Sequence, residues 1–156
     1  MRLSLLFASN AYQYYKAGLN YRMFENGRPT PLQKIESSFL RSNEVNLYLK
    51  REDLIHSTIS GNKWRKLKYN FIEAQKRGHN TILTFGGAFS NHIAATASAA
   101  NEYGFSSIGV IRGDELTPGS NPTLRQAHEL GMHLYFVSRQ DYKKRNEPSF
   151  INKLSQ

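Results

Sequence analysis

An α/β domain built around a parallel sheet is the fold class that this sequence predicts. Between residues 61 and 138, segments with helical spacing alternate with short apolar segments that are typical of buried strands. Glycines and helix-capping residues separate these segments. The length of 156 residues suits one ordinary domain, and no apolar run is long enough to form a membrane-spanning helix.

The first helix of the series follows a predicted strand at Asn46–Glu52. Gly61 and Asn62 open the helix, and Asn62 is the expected N-terminal cap. Gly78 marks its end. Apolar residues recur at spacings of three and four and form one buried face, which consists of Trp64, Leu67, Phe71 and Ala74.

A second strand is predicted at Thr81–Phe85, and the glycine-led loop Gly86–Asn91 follows it. Ser90 or Asn91 is expected to cap the helix His92–Tyr103, whose many alanines allow close packing against a sheet. Gly104 ends this helix. Further along, Asn121 and Pro122 start another helix. The remaining segments are strand Ser106–Arg112, the end of that helix at Gly131, strand His133–Ser138, and a polar helical segment Asp141–Leu154 broken by Pro148.

Composition excludes several classes of protein. The absence of cysteine excludes disulfide scaffolds, thiolate metal sites and cysteine nucleophiles. The scattered histidines form no metal-binding pair, so no metal site is predicted. The net charge of +9 includes a cluster at Lys63, Arg65, Lys66 and Lys68. Such a cluster suits a solvated helix face, an anion site or nucleic acid, but the acidic middle of the chain argues against a nucleic-acid stripe. Residues 1–22 are predicted to be a disordered leader, with a targeting peptide as the alternative.

The loop from Gly86 to His92 is the first candidate site. Its two glycines let the backbone pass close to a ligand. Ser90, Asn91 and His92 lie at a helix N-terminus, where unpaired amides favour an anion such as a carboxylate or phosphate. An ordinary tight turn with a Ser or Asn cap explains the same pattern, and this alternative stays open.

Lys63 is the second candidate. It lies at a helix start, where the helix dipole disfavours a cation, and Arg65 and Lys66 are close in sequence. These effects are expected to favour the neutral amine, which is the form that reacts with carbonyl groups. Exposed lysines at a helix start are the alternative interpretation. The adjacent Glu52 and Asp53 are interpreted as structural.

The two loops together resemble a known family. The blocks are KREDL at residues 50–54, GNKWRKL at residues 61–67, and GGAFSNH at residues 86–92. In this order they are similar to the 1-aminocyclopropane-1-carboxylate deaminase and D-cysteine desulfhydrase family. The resemblance spans residues 29–154. It implies the fold of tryptophan synthase β-like, fold type II enzymes and the cofactor pyridoxal 5'-phosphate (PLP).

The resemblance also implies roles for individual residues. Lys63 would bind the cofactor aldehyde, with Asn62 orienting it, and Lys66 would reach towards the phosphate. Asn91 would hydrogen-bond the phenolic oxygen of the cofactor. Ser90, with Asn91 and His92, would hold the substrate carboxylate, and Ser90 would also assist proton transfer.

Members of this family are longer than this chain, and their glycine-rich phosphate loop has no counterpart in these 156 residues. The expected organisation is therefore a leader at 1–22, an N-terminal segment of the large domain at 23–60, and a small three-layer α/β domain at 61–156 that is incomplete at its C-terminus. Alone, the chain is expected to be inactive.

The function implied for the complete protein is a PLP-dependent lyase or deaminase that converts D-cysteine to pyruvate, ammonia and sulfide. A 1-aminocyclopropane-1-carboxylate deaminase is the alternative, and His92 favours D-cysteine because an imidazole can assist departure of a thiolate. An inactive anion-binding fragment is the alternative of another class. A homodimeric, cytoplasmic protein with a small amino-acid substrate and no nucleic acid or membrane partner is expected.

Overall fold

A computed structural model describes residue 24 and residues 27–59 and 61–154 of the chain. The predicted leader at 1–22 lies outside these residues. The strands are β1 (Leu32–Ile35), β2 (Leu47–Lys50), β3 (Thr81–Gly87), β4 (Ser106–Arg112) and β5 (Met132–Val137). The helices are α1 (Ser38–Ser42), α2 (Asn62–Lys76), α3 (Asn91–Tyr103), α4 (Pro122–Glu129), α5 (Arg139–Lys143) and α6 (Pro148–Lys153).

Strands β3, β4 and β5 form a parallel sheet in that order, which confirms the predicted alternation of strands and helices. Gly87 pairs with Arg112, and Arg112 pairs with Val137. The carboxyl ends of all three strands therefore meet at one edge of the sheet, which is where ligands bind in open α/β sheets. Strands β1 and β2 form a separate antiparallel pair, of which only β2 is predicted from the sequence.

Helix α3 is the centre of the packing. It contacts α2 and α4 as well as β3 and β4. Small side chains fill its buried faces and bring it close to its neighbours, as the alanine content predicts. On the α2 side the core contains Phe24, Ile55, Ile59, Trp64, Leu67, Phe71, Ala95, Ala99 and Ala100. On the α4 side it contains Ile93, Ala97, Ile111, Leu124, Ala127 and Met132.

Several predicted helix ends are confirmed. Ser90 caps α3 by accepting a hydrogen bond from the backbone N–H of Ile93, and Gly104 ends this helix in the left-handed region. Asn121 caps α4 in the same way as Ser90 caps α3. Pro148 lies in the first turn of α6 and separates it from α5.

The prediction that Asn62 caps α2 is wrong. Gly61 is the N-cap, with φ 63° and ψ −147°, and it makes no side-chain capping bond. The chain turns here through a positive φ, which glycine adopts without steric cost, so the capping position has no side chain to offer. Asn62 is instead the first helical residue.

Strand boundaries differ modestly from the predicted ones. Strand β2 stops at Lys50 because residues 52–54 turn into a short 3-10 helix, whereas β3 continues through both glycines to Gly87. Strand β5 is displaced by one residue towards the N-terminus. None of the described helices is long and apolar enough to cross a membrane.

Candidate functional site

The start of helix α2 is held by Glu52, from the KREDL block. Its carboxylate accepts hydrogen bonds from Arg65 Nε at 2.9 Å and from Thr30 Oγ1 at 2.8 Å. Its backbone carbonyl accepts one from the N–H of Gly61 at 2.9 Å. The hydrogen bond from Arg65 is the largest cause that lowers the pKa of Glu52. Glu52 is thus structural, as expected, and it fixes the turn that presents Lys63.

Lys63 lies in the first turn of α2 and is partly exposed. Its Nζ donates a hydrogen bond to Oδ1 of Asn62 at 2.8 Å, so Asn62 orients the amine although it does not cap the helix. Lys66 is exposed one turn later on the same side of the helix. Arg65 is paired with Glu52, whereas Lys66 forms no ion pair with the residues that the structure describes, so its charge is available to a ligand bound at Lys63.

The second loop begins where β3 ends. The N–H of Ser90 donates to the carbonyl of Gly87 at 3.1 Å and closes a turn. Asn91 then begins α3 and is exposed, whereas Ser90 and His92 are partly buried. The Ser90 hydroxyl is engaged with the N–H of Ile93. The first N–H groups of a helix lack partners within it, so those of Asn91 and His92 remain suited to an anion.

His92 connects the two loops electrostatically. Burial is the main cause that lowers the pKa of His92, and the positive charges of Lys63 and Lys66 lower it further. These lysines can act on the imidazole only because folding brings the start of α2 near the start of α3. The structure therefore places Lys63 and Lys66 near His92, with Ser90 and Asn91 as its chain neighbours, and the lowered pKa favours the neutral imidazole.

We expect the imidazole of His92 to titrate below its ordinary value of 6.5. Lys63→Met and Lys66→Met should each raise its pKa towards that value, because each removes one nearby positive charge. The control Lys76→Met, at the other end of α2, should leave the pKa unchanged. A pH titration of the histidine C–H signals by NMR, with His92→Gln for assignment, measures these values.

The same shift has a consequence for stability. Since the folded pKa of His92 lies below the unfolded one, His92 disfavours folding progressively as the pH falls below about 6.5. A pKa of His92 at or above 6.5 in the unmodified chain would contradict the proximity of the start of α2 to the start of α3.

Two features of this region have no signal in the sequence. The first is His56, whose Nδ1 accepts hydrogen bonds from the N–H groups of Thr58 at 3.3 Å and Ile59 at 3.2 Å. Its Nε2 lies 3.3 Å from a carboxylate oxygen of Glu102, on α3. His56 thereby ties the segment before Lys63 to the helix that carries His92. Glu102 is distant in sequence, so no local pattern could identify this contact.

The second feature is an open cavity of about 520 Å³ at the carboxyl edge of the parallel sheet. Ser90 is the only predicted site residue in its lining, within the part of the chain that the structure describes. The cavity is lined by Gly87, Ala88, Phe89, Ser90, Arg112, Glu115, Leu116 and Arg139.

Comparison with known proteins identifies relatives along most of the chain. The bifunctional D-cysteine desulfhydrase/1-aminocyclopropane-1-carboxylate deaminase of Arabidopsis thaliana is 30% identical over 132 residues, which is 82% of this chain and 33% of the relative. The D-cysteine desulfhydrase of Yersinia pestis is 30% identical over 125 residues, which is 79% of this chain and 37% of the relative. The chain thus spans only about a third of the length of these relatives. No protein-family model matches it.

A solved structure agrees with these relatives. The crystal structure of a homologue of 1-aminocyclopropane-1-carboxylate deaminase superimposes with a TM-score of 0.67 at 26% identity, over 82% of this chain and 38% of that one. The similarity therefore extends to the three-dimensional fold over most of this chain.

Proposed function

We propose that this chain, which belongs to the 1-aminocyclopropane-1-carboxylate deaminase and D-cysteine desulfhydrase family, provides the lysine-bearing side of a PLP-dependent enzyme acting on small amino acids. Its parallel-sheet domain has the fold of the tryptophan synthase β-like, fold type II enzymes. The observation that carries the proposal is the packing of α2 against α3, with Lys63 held by Asn62 in the first turn of α2. The lowered pKa of His92, caused in part by the charges of Lys63 and Lys66, supports it.

The residues present fit one side of PLP chemically. Lys63 offers an amine for the aldehyde, held by Asn62 through a hydrogen bond of 2.8 Å. Lys66 offers an ammonium group suited to the phosphate, and Asn91 offers an exposed amide suited to the phenolic oxygen. A glycine-rich phosphate loop is not among the described residues. The chain thus supplies part of a cofactor site.

When bound, PLP withdraws electrons from the substrate carbon next to the amine. The chain's own residues position the substrate for this chemistry. We assign the carboxylate to the start of α3, where the N–H groups of Asn91 and His92 and the helix dipole stabilise a negative charge. Ser90 holds the turn that aims these groups. Lys63 would take and return the proton at that carbon when its amine is not bonded to the cofactor.

We assign D-cysteine as the preferred substrate, with loss of sulfide from the carbon next to the reacting one. His92 supports this choice because its lowered pKa favours the neutral imidazole, whose one N–H can donate a hydrogen bond to the departing sulfur. The alternative substrate, 1-aminocyclopropane-1-carboxylate, has no such leaving group. A homodimeric and cytoplasmic state of the whole enzyme stays a prediction.

An anion-binding domain without catalytic activity is the alternative of another class.

The basic cluster on α2 gives little support to nucleic-acid binding, because Arg65 is paired with Glu52 and Lys68 lies over the rings of Trp64 and Tyr69.

A titration of the 156-residue chain with PLP tests the proposal. We expect weak binding that shifts the absorbance of PLP to longer wavelength than that of the free cofactor, because Lys63 attaches to the aldehyde. Lys63→Ala should abolish this shift, and Lys76→Ala, at the exposed end of the same helix, should retain it. With D-cysteine present, the chain alone should release no pyruvate.

Equal absorbance from the chain and its Lys63→Ala variant would contradict the proposal. If the chain binds inorganic phosphate and the spectrum of added PLP stays that of the free cofactor, the anion-binding alternative is favoured. Pyruvate release by the unmodified chain would contradict the expectation that other parts of the site are required.

A further inference from the structure

The cavity at the carboxyl edge of the sheet is a candidate binding site that does not depend on Lys63 or on PLP. It lies where β3 and β4 end, and its volume of about 520 Å³ falls within the range of small-molecule sites. Lys63, Lys66, Asn91 and His92 are not part of its lining, and Ser90 is the one candidate-site residue that it shares within the described part of the chain. The charged residues of the lining, Arg112, Glu115 and Arg139, lie outside that site.

Arg112 gives the cavity a free cation. Its guanidinium forms no ion pair or hydrogen bond with any other residue in the described segments. The guanidinium lies beside Gly87, since a Cβ added at that glycine would be 3.8 Å from Nη2 of Arg112. Its Cζ lies 5.9 Å from the ring centre of Tyr142. Arg112 is exposed, and neither the glycine nor the aromatic ring accepts a hydrogen bond from the in-plane N–H donors of its guanidinium.

The second arginine in the cavity is already neutralised. Arg139 Nη2 lies 2.7 Å from Oε1 of Glu115, so these two charges compensate each other at the cavity wall. One uncompensated positive charge remains, at Arg112. A ligand with a single negative charge fits this balance better than a dianion does.

The rest of the lining is mostly apolar. Ala88, Phe89 and Leu116 line the space around the charged groups. Phe89 is 76% exposed, which is unusual for a phenylalanine and leaves its ring available to cover a ligand. These side chains suit the hydrocarbon part of a molecule, whereas a fully polar anion would gain nothing from them.

We propose that this cavity binds a small monocarboxylate with an apolar body, with its carboxylate held by Arg112 in a two-pronged hydrogen-bonded pair. Phe89 and Leu116 contact the apolar body. The Glu115–Arg139 pair forms part of the wall and leaves no second unpaired cation in the lining to hold a second negative charge.

Ligand-observed NMR with benzoate tests this proposal on the full 156-residue chain. We expect a dissociation constant on the order of 1 mM. Arg112→Gln should weaken binding about tenfold, because a charge-assisted pair is lost. The matched control Arg125→Gln removes the same charge from α4, outside the cavity, and should leave binding unchanged.

Two related probes separate the contributions. Benzamide, which lacks the charge, and acetate, which lacks the ring, should each bind at least several-fold more weakly than benzoate. The proposal is overturned if benzoate does not bind at tens of millimolar, if benzamide or acetate matches it, or if the two arginine variants behave alike.

Discussion

Replacing Phe71 with alanine is expected to lower the free energy of unfolding by about 3–5 kcal/mol. The Phe71 side chain is 0% exposed, in the core between α2 and α3. Its ring centre lies 5.1 Å from that of Phe105 and 5.7 Å from that of Phe24. Truncation removes these contacts and leaves a cavity among rigid aromatic rings that cannot collapse to fill it.

Urea denaturation followed by circular dichroism measures this loss. Tyr69→Ala is the matched control, since it removes another aromatic ring from the same helix at a side chain that is 72% exposed. It should change the free energy of unfolding by less than about 0.5 kcal/mol. Comparable losses for the two variants would contradict the packing of α2 described above.

Gly86→Ala is expected to destabilise the chain by about 1–3 kcal/mol and to displace the loop that carries Ser90. An added Cβ at this position would lie 2.4 Å from Cγ1 of Ile93 and 2.9 Å from Cβ of Ser90. Ile93 is fully buried, so it has no free space into which to move. The clash must therefore push the start of α3 away from β3.

Gly87→Ala is a close control, because the same added atom one residue later meets only Nη2 of Arg112, at an ordinary 3.8 Å. We expect a small effect on the urea midpoint. In Gly86→Ala, the titration of His92 should also change, since α3 moves relative to Lys63. Equal midpoints for the two variants would show that the loop tolerates a side chain at Gly86.

Much of this fold is predictable from local pattern. The apolar spacing from Trp64 to Ala74 identifies the buried face of α2, and those residues are buried in the structure. The caps Ser90 and Asn121 and the terminal Gly104 are identified because each acts on backbone groups a few residues away. The parallel sheet follows from the order of these elements.

Features that depend on distant partners were not predictable. Strand β1 is a four-residue segment that pairs with β2, and its side chains are mostly exposed, so it carries no burial pattern. Asn62 resembles a cap by residue type, but the positive φ at Gly61 moves the helix start by one residue. The contact of His56 with Glu102 joins positions that only the fold brings together.

The candidate site also has features that the sequence predicts and features that depend on the fold. The motifs identify Lys63 and the Ser90–His92 turn, and the effect of both lysines on the pKa of His92 supports their proximity. The sequence shows Arg65 and Lys66 only as two adjacent basic residues. It cannot reveal that Arg65 is held by Glu52 while Lys66 stays exposed. The roles of Ser90, Asn91 and Asn62 towards a cofactor stay predictions.

Borohydride reduction of the chain in the presence of PLP, followed by peptide mapping, tests the central claim most directly. Reduction fixes the pyridoxyl group on whichever lysine binds the aldehyde. We predict a single modified site at Lys63, and loss of this modification in Lys63→Ala. A label on Lys50, Lys66 or Lys68 in place of Lys63 would contradict the assignment of Lys63 as the lysine that binds the cofactor.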